Sequence, residues 1–448
     1  MILIALFLSL FTAATAAAQE NTPLTLSHAV ELGLKSDNIV KTEAARVSGA
    51  RAGLGQAKLS RLGGLKLKGM YTDGTDPVYA FATAMKQGTF TMASMATINN
   101  PNPARNYMAG IEAGVPLFTG FAASNAVKMG NLGVEAAQYD YERAKAGITF
   151  KITWQWLTVL LRAKLAALAA TTVKEAETEL KTAQMLKDKG MVLGSDYYGA
   201  EAILSTLRGY SLNWQKALEL EKEKLRITLD IQTAAGATPA GTLGAPYYPA
   251  QARPSAARRD IKALEKITEI AKTAQAMRAN ALLPAVEAFG SWETNSESLS
   301  AFRDNRMLGI RLTMPLGDPA YFARKDAAKA EAAMAQSRLD EARRQASLEA
   351  AEAANNYSSA QESLPVAKET LQKARQSLEL FRPLYRQGRQ SVLEVLRAQA
   401  AVLQAEAAYY ETLYKIHLYH AQSLLASETL DAAAIQEMSG QLGREENN

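Results

Sequence analysis

Seventy-four residues run from Pro116 to Gly190, and 73 run from Pro315 to Gly388. Between these marks the chain is charged, Ala-rich and helix-like. The first stretch, Phe118 to Lys189, contains no proline, and the second, beyond Pro319 at its start, contains only Pro365 and Pro383. As a helix, either stretch would extend roughly 110 Å at about 1.5 Å per residue. No globular domain accommodates that length, which predicts a coiled coil or a helical barrel. The composition agrees, being rich in Ala, Leu, Gln, Glu, Lys and Arg. The formal net charge is +5 with both signs interspersed, a solvated helical surface rather than a nucleic-acid patch.

The two stretches belong to a duplication. NYMAGIEAGVPL (106–117) and NRMLGIRLTMPL (305–316) lie 199 residues apart and share Asn, Met, Gly, Ile, Pro and Leu. Both alternate with period two. Leu308, Ile310, Leu312 and Met314 share one face, as do Tyr107, Ala109, Ile111, Ala113 and Val115. Such alternation suits a membrane-spanning strand, apolar toward lipid and polar toward a lumen. Upstream, LKLKGMY (65–71) and VEAFGSW (286–292) alternate too and align with each other, Leu62 with Leu283 and Gly69 with Gly290. The connection between paired strands is 36 residues in the first copy and 14 in the second, an insertion suited to a surface loop. Pro116 and Pro315 are read as strand-to-helix junctions, where a ladder hydrogen bond can be lost. Four strands do not close a barrel, since the smallest membrane barrels have eight. If these strands cross a membrane, several chains must share the barrel.

Past Gly190 and Gly388 the copies agree again. KGMVLGSDYYGAEA (189–202) aligns with QGRQSVLEVLRAQA (387–400), and Asp196 and Glu394 each sit six residues beyond the glycine. Ser195 is expected to cap the returning helix, with either carboxylate near its first turn favoured by the helix dipole. Heptads follow. Tyr197, Leu204, Leu218 and Leu225 lie seven or fourteen apart with Ser211 interrupting, and Leu396, Leu403, Tyr410, His417 and Leu424 recur every seven.

The predicted organisation is therefore a signal peptide (1–18), a first repeat (19–235), an inter-repeat loop (236–255), a second repeat (256–430) and a C-terminal tail (431–448) that ends in the polar QLGREENN. The first repeat holds a helix over 27–59, strands near 64–72 and 106–116, a long helix over 118–189 and a returning helix over 195–231. The second holds a helix over 256–281, strands near 285–293 and 305–315, and helices over 318–387 and 391–427. The first eighteen residues join an apolar run (Ile2 to Phe11) to a small-residue cleavage site, although no Lys or Arg precedes Lys35. No other segment has a continuous apolar run long enough for a transmembrane helix. The chain has no cysteine, so neither a disulfide nor a lipid anchor at the cleavage site is expected.

No catalytic or metal-binding constellation stands out, so no enzymatic activity and no cofactor is predicted. His417 and His420 lie three apart on a helix, with no cysteine or carboxylate at ligand spacing. Gly63–Gly64 precedes a strand, the wrong context for a phosphate loop. Met85, Met92 and Met95 in the long first loop suit either a soft metal or simple gap-filling.

TLSHAVELGLKSD (25–37), the VPLFTG and MPLGD strand ends, the two glycine turns and the duplication together resemble the TolC-like outer-membrane efflux family across essentially the whole mature length. The resemblance implies a homotrimer, with a twelve-stranded barrel in outer-membrane lipid and a twelve-helix tunnel through the periplasm. It implies a passive duct in an efflux or type I secretion system. The duct would be joined through a periplasmic adaptor (membrane fusion) protein to an inner-membrane pump of the RND, ABC or MFS type, with no nucleic-acid partner. It also implies that the turns around Gly190 and Gly388 close the tunnel. Asp196 matches an acidic tip residue and Tyr385 a tyrosine that bonds to it across helices, while Glu394 matches a position often acidic. Gln390 stands where an arginine gate residue can occur, beside Arg389, and Arg397 stands where some members carry a second acidic ring. Glu394 and Arg397 are then expected to pair. Glu112 and Arg311, at equivalent repeat positions, are expected to line the barrel as opposing charged belts. A periplasmic coiled-coil adaptor or scaffold is the alternative reading of the same helices.

Overall fold

A computed structural model describes residues 24–232, 238–246, 248 and 258–442. The expected signal peptide, part of the inter-repeat loop and the last six residues lie outside the described residues. The chain divides into two compact units. One comprises Met1–Asp37, Ala146–Ser255 and Glu349–Asn448, the other Asn38–Lys145 and Ala256–Leu348.

The second unit carries the strands β1 (Gly64–Gly74), β2 (Ala104–Thr119), β3 (Ala285–Ser296) and β4 (Arg303–Thr313). They form one antiparallel sheet in sequence order. Gly69 lies opposite Ala109 in the first hairpin, and the aligned Gly290 opposite Leu308 in the second. The duplication is thus one of register as well as of sequence. Pro116 does not end its strand. β2 continues to Thr119 through a register shift between Pro116 and Phe118, because a bulge absorbs the ladder bond that proline, lacking an N–H, cannot donate. In the second copy β4 does stop short of Pro315. Helices α2 (Asn38–Leu59) and α6 (Arg259–Ala279) belong to this unit, as do the first portions of α4 (Ala122–Asp188) and α7 (Tyr321–Arg386). Cross-helix ion pairs tie them together: Arg259 to Glu142 at 2.7 Å, Lys266 to Glu135 at 3.0 Å and Arg343 to Glu265 at 2.7 Å. The long first loop, read from the sequence as a surface insertion, contains a helix, α3 (Pro77–Gln87).

The first unit is helical. It holds α1 (Leu26–Ser36), the remainder of α4 and α7, and α5 (Gly194–Leu229), α8 (Val392–Ala426) and α9 (Ala432–Leu442). The expected single helix over 27–59 is broken at Asp37, whose backbone is extended. Ser36, Asp37 and Asn38 supply the reason, since their side chains compete for backbone hydrogen bonds and lower helix propensity. Leu204, Leu396 and Leu403 of the heptads are almost fully buried in one cluster with Leu207, Val392 and Val395. An 18-residue window of α4 reaches a mean hydropathy of 1.4. Ile152, Trp156, Leu157 and Leu165 on that helix are fully buried, so part of its apolar surface faces inward. The tail is not featureless either. Ile435, Met438 and Leu442 bury one side of α9, and the Thr242 N–H donates to the Leu442 carbonyl at 2.7 Å.

His417 and His420 anchor part of the inter-repeat loop to α8. The His417 Nε2–H donates to the Gly244 carbonyl at 3.2 Å, and the Tyr248 hydroxyl donates to His417 Nδ1 at 2.5 Å. That pattern fixes the neutral Nε2–H tautomer and commits both ring nitrogens to protein partners. The Tyr248 ring stacks on His420 with centroids 3.7 Å apart. Burial holds both imidazoles down at about 4, below their ordinary 6.5. The folded state therefore resists protons that the unfolded chain accepts, and the stability this lends above pH 6.5 is lost as pH falls toward 4. The melting midpoint should drop between pH 7 and pH 4.5, and amide protection factors over 238–246, measured against the intrinsic rate at each pH, should fall. A His417→Gln/His420→Gln chain should show a shallower pH dependence. Equal slopes in the two proteins would exclude the histidines as the cause.

Candidate functional site

The sequence-predicted tip residues all fall in the first unit, and Glu112, Arg311, Pro116 and Pro315 in the second. In the helical unit, α4 and α7 end in the same way. Gly190 and Gly388 take φ values of 73° and 69°. The Gly190 and Met191 N–H groups donate to Lys187 and Leu186 at 2.8 and 2.9 Å. Those of Gly388 and Arg389 donate to Tyr385 and Leu384, both at 2.9 Å. This paired bonding satisfies the last helical carbonyls and requires a left-handed residue. A Cβ at either glycine would meet nothing within 4 Å, so the conformation and not crowding selects glycine. Ser195 is not the cap. α5 opens at Gly194 after Leu193, which makes no side-chain capping bond, and Asp196 and Glu394 both fall in first turns.

Behind the turns, Leu180, Ala183, Tyr197, Leu378, Tyr385 and Leu396 share one buried cluster. The Tyr385 hydroxyl is buried without a hydrogen-bond partner, so within one chain it does not bond Asp196. Burial, with the Glu179 carboxylate nearby, pushes its phenol up. Arg397 does pair with Glu394, at 2.7 Å. Arg389 is exposed and Gln390 half-buried. Sequence reasoning missed Lys187, whose ammonium stands 4.0 Å from the Tyr197 ring centroid and 5.0 Å from that of Tyr198. It also missed the pairs Arg375–Glu406, at 2.7 Å, and Arg382–Glu175. Helical spacing gives no sign of any of them, because each joins residues on different helices.

In the sheet unit, the pairing sorts side chains onto two faces. Leu65, Leu67, Tyr71, Ile111, Val115, Trp292, Leu308, Ile310 and Leu312 share one face and are all substantially exposed, Leu67 at 84% and Leu308 at 82%. The opposite face carries Lys66, Lys68, Glu112, Glu287, Glu293 and Arg311. Glu112 and Arg311 thus share the polar parity, and each has an oppositely charged neighbour on the adjacent strand. Glu112 pairs with Lys68 on β1, and Arg311 lies 3.8 Å from Glu287 on β3 with its guanidinium 4.9 Å from the Phe289 ring centroid. A cleft of about 230 Å³ opens among Lys68, Glu112, Phe289, Glu293, Met307 and Arg311.

The α3 helix leans on this polar face. Asp76 caps it by accepting the Tyr79 N–H at 2.8 Å, Pro77 opens it and Gly88 closes it in the left-handed conformation. At its C-terminal end Lys86 reaches Glu293 at 2.6 Å, and the Gln87 amide donates to the Asn106 side chain at 3.0 Å. The Asn305 amide donates to the Lys86 carbonyl at 3.1 Å, and the buried Asn106 amide donates to Asn295 at 2.8 Å. Only the repeated Asn106 and Asn305 gave any signal of this network in the sequence.

The class this arrangement defines is a duplicated strand-and-long-helix fold, with a four-stranded sheet exposed on both faces. It is the fold of solved outer-membrane channels. The chain is similar to the CmeC outer membrane channel of Campylobacter jejuni, at 16% identity and a TM-score of 0.80, covering 94% of this chain and 90% of that one. It is similar to the outer membrane protein VceC of Vibrio cholerae, at 17% identity and 0.75, covering 89% and 96%. It also resembles a membrane protein from Pseudomonas aeruginosa, at 17% identity and 0.79, covering 90% and 89%. Residues 254–427, most of the second repeat, match the family model for outer membrane efflux proteins. No curated protein matches the chain in sequence.

Replacing Gly190 or Gly388 by alanine should each cost about 1 kcal/mol, because a Cβ is strained at positive φ. Gly209, inside α5 with open space around it, is the control. Gly209→Ala should stabilise by up to about 1 kcal/mol through helix propensity. Chemical denaturation measures both signs, and a neutral Gly388→Ala would remove the conformational argument for the turn.

Proposed function

We propose that this chain is the outer-membrane channel of a tripartite efflux or secretion system, a passive trimeric duct that performs no chemistry. The observation that carries the reading is the sheet. One face is apolar and exposed, the other is charged, and β1 and β4 each pair on one side only. In water this would be an aggregation template. In a bilayer, three copies joined edge to edge satisfy the backbone groups and turn the apolar face to lipid. The shared fold with solved outer-membrane channels supports the same reading. The chain then resides in the outer membrane with its helices in the periplasm. An inner-membrane pump supplies energy through an adaptor that meets the turns at Gly190 and Gly388. Solutes cross along the polar face, past Lys68, Glu112, Glu287 and Arg311, and α3 narrows the path where it covers Asn106 and Asn295.

Heat-modifiable gel migration and co-fractionation with outer membranes test the reading directly, and recovery in the soluble periplasmic fraction would favour the scaffold alternative. Two conductance predictions follow from the residues. In planar bilayers, Asp196→Ala with Tyr385→Phe should raise single-channel conductance if these groups latch the periplasmic end between chains. Removing an unpartnered buried hydroxyl alone would leave conductance unchanged and stability equal or higher. Lys86→Ala should widen the other end, increasing conductance without altering the response to Asp196→Ala. An unchanged current would place α3 outside the conducting path.

A further inference from the structure

The internal duplication supplies a template for the seam between two copies of this chain. This rests on the channel reading above and adds to it a register. Within the chain, β2 pairs with β3, the second strand of repeat one beside the first strand of repeat two. The equivalent junction for β4 is with β1, and within one chain these two strands are the opposite edges of the sheet. We infer that β4 pairs antiparallel with β1 of a second copy in the register that β2–β3 already displays, with Ile310 opposite Tyr71, Arg311 opposite Met70 and Leu312 opposite Gly69.

The transfer uses two alignments that the structure itself supports. Both hairpins have the same internal register when Gly69 is set on Gly290 and Ala109 on Leu308. Applied to the observed β2–β3 pairs, Ile111 with Trp292, Glu112 with Ser291 and Ala113 with Gly290, those offsets give the three seam pairs. The result is chemically coherent. Ile111–Trp292 and Ile310–Tyr71 are both aliphatic–aromatic pairs on the apolar face, a favourable cross-strand combination. Ala113–Gly290 and Leu312–Gly69 both set an apolar side chain beside a glycine, and Gly69 has open space where its own Cβ would be. One step further, Met314 falls beside Leu67. Each predicted pair joins residues of the same face, so the sheet continues without turning its lipid side inward, as a one-residue slip would. A two-residue slip in one direction sets Ile310 against Asp73, bringing a carboxylate that lies near Arg105 in the chain against an apolar position at the seam.

The chain contains no cysteine, so disulfide trapping has no background. Full-length protein would be made with Ile310→Cys and Tyr71→Cys, and separately with Arg311→Cys and Met70→Cys. Neighbouring pairs alternate between the two hydrogen-bonding classes of an antiparallel ladder, so one of the two has favourable geometry. The slipped controls combine Ile310→Cys with Gly69→Cys or Asp73→Cys, and Arg311→Cys with Lys68→Cys or Thr72→Cys. A two-residue slip displaces a Cα by about 7 Å, beyond disulfide reach. After mild oxidation in outer membranes, a reducible covalent ladder ending at three chains is expected for an in-register pair, at least about tenfold stronger than for its slipped controls. Native mass spectrometry of the same samples separates the two ideas. A trimer whose strongest cross-link is a slipped pair, or which shows none, overturns the register and leaves the channel reading standing. A monomer, or a chain absent from outer membranes, overturns both.

Discussion

The backbone hydrogen bonds of β1 and β4 are the constraint from which the rest follows. A four-stranded sheet leaves a row of N–H and C=O groups without a strand partner along each edge, and among the described residues no further strand pairs with β1 or β4. In hydrocarbon such groups are untenable, and closure is the remedy. On the channel reading, closure by copies of one chain asks that its two edges be complementary. A duplicated sequence would answer that demand, because a β2–β3 junction of the required kind already exists within one chain.

The helices meet a different requirement. Leu204, Leu396 and Leu403 bury their side chains in one cluster with alanines such as Ala176, Ala183 and Ala200, and small residues at such a seam permit close helix approach. The polar surface that remains is laced by ion pairs between helices, Arg382 to Glu175 and Arg375 to Glu406 among them. Exposed pairs of this kind add little stability each. Their value lies in register, since a long helix sliding on its neighbour would break several together. The Tyr385 hydroxyl and the Gln399 amide, buried without partners, stand out against this.

Much of this was legible in the sequence, for identifiable reasons. Period-two alternation located all four strands because each sheet face meets one environment. The glycines at 190 and 388 were legible because only glycine takes the left-handed turn cheaply. Legibility failed where a local rule met a longer-range competitor. Ser195 looked like a cap, but the helix begins one residue earlier at Gly194. Pro116 looked like a strand end, but a bulge carried β2 to Thr119. Residues 431–442 were read only as a tail, yet Ile435, Met438 and Leu442 at helical spacing are buried on one side of α9. α3 was missed because the sequence was read there only as an insertion.

By itself, the sequence determined the duplication, the strand parity and the two long helices, each written in spacings that depend only on backbone geometry. The tertiary structure alone decided the partners. It set Glu112 against Lys68 and Arg311 beside Glu287, laid α3 over Asn106 and Asn295, and left the Tyr385 hydroxyl unbonded. Periodicity says which way a side chain points. What stands opposite it depends on strand register and on segments hundreds of residues away, which no local pattern encodes.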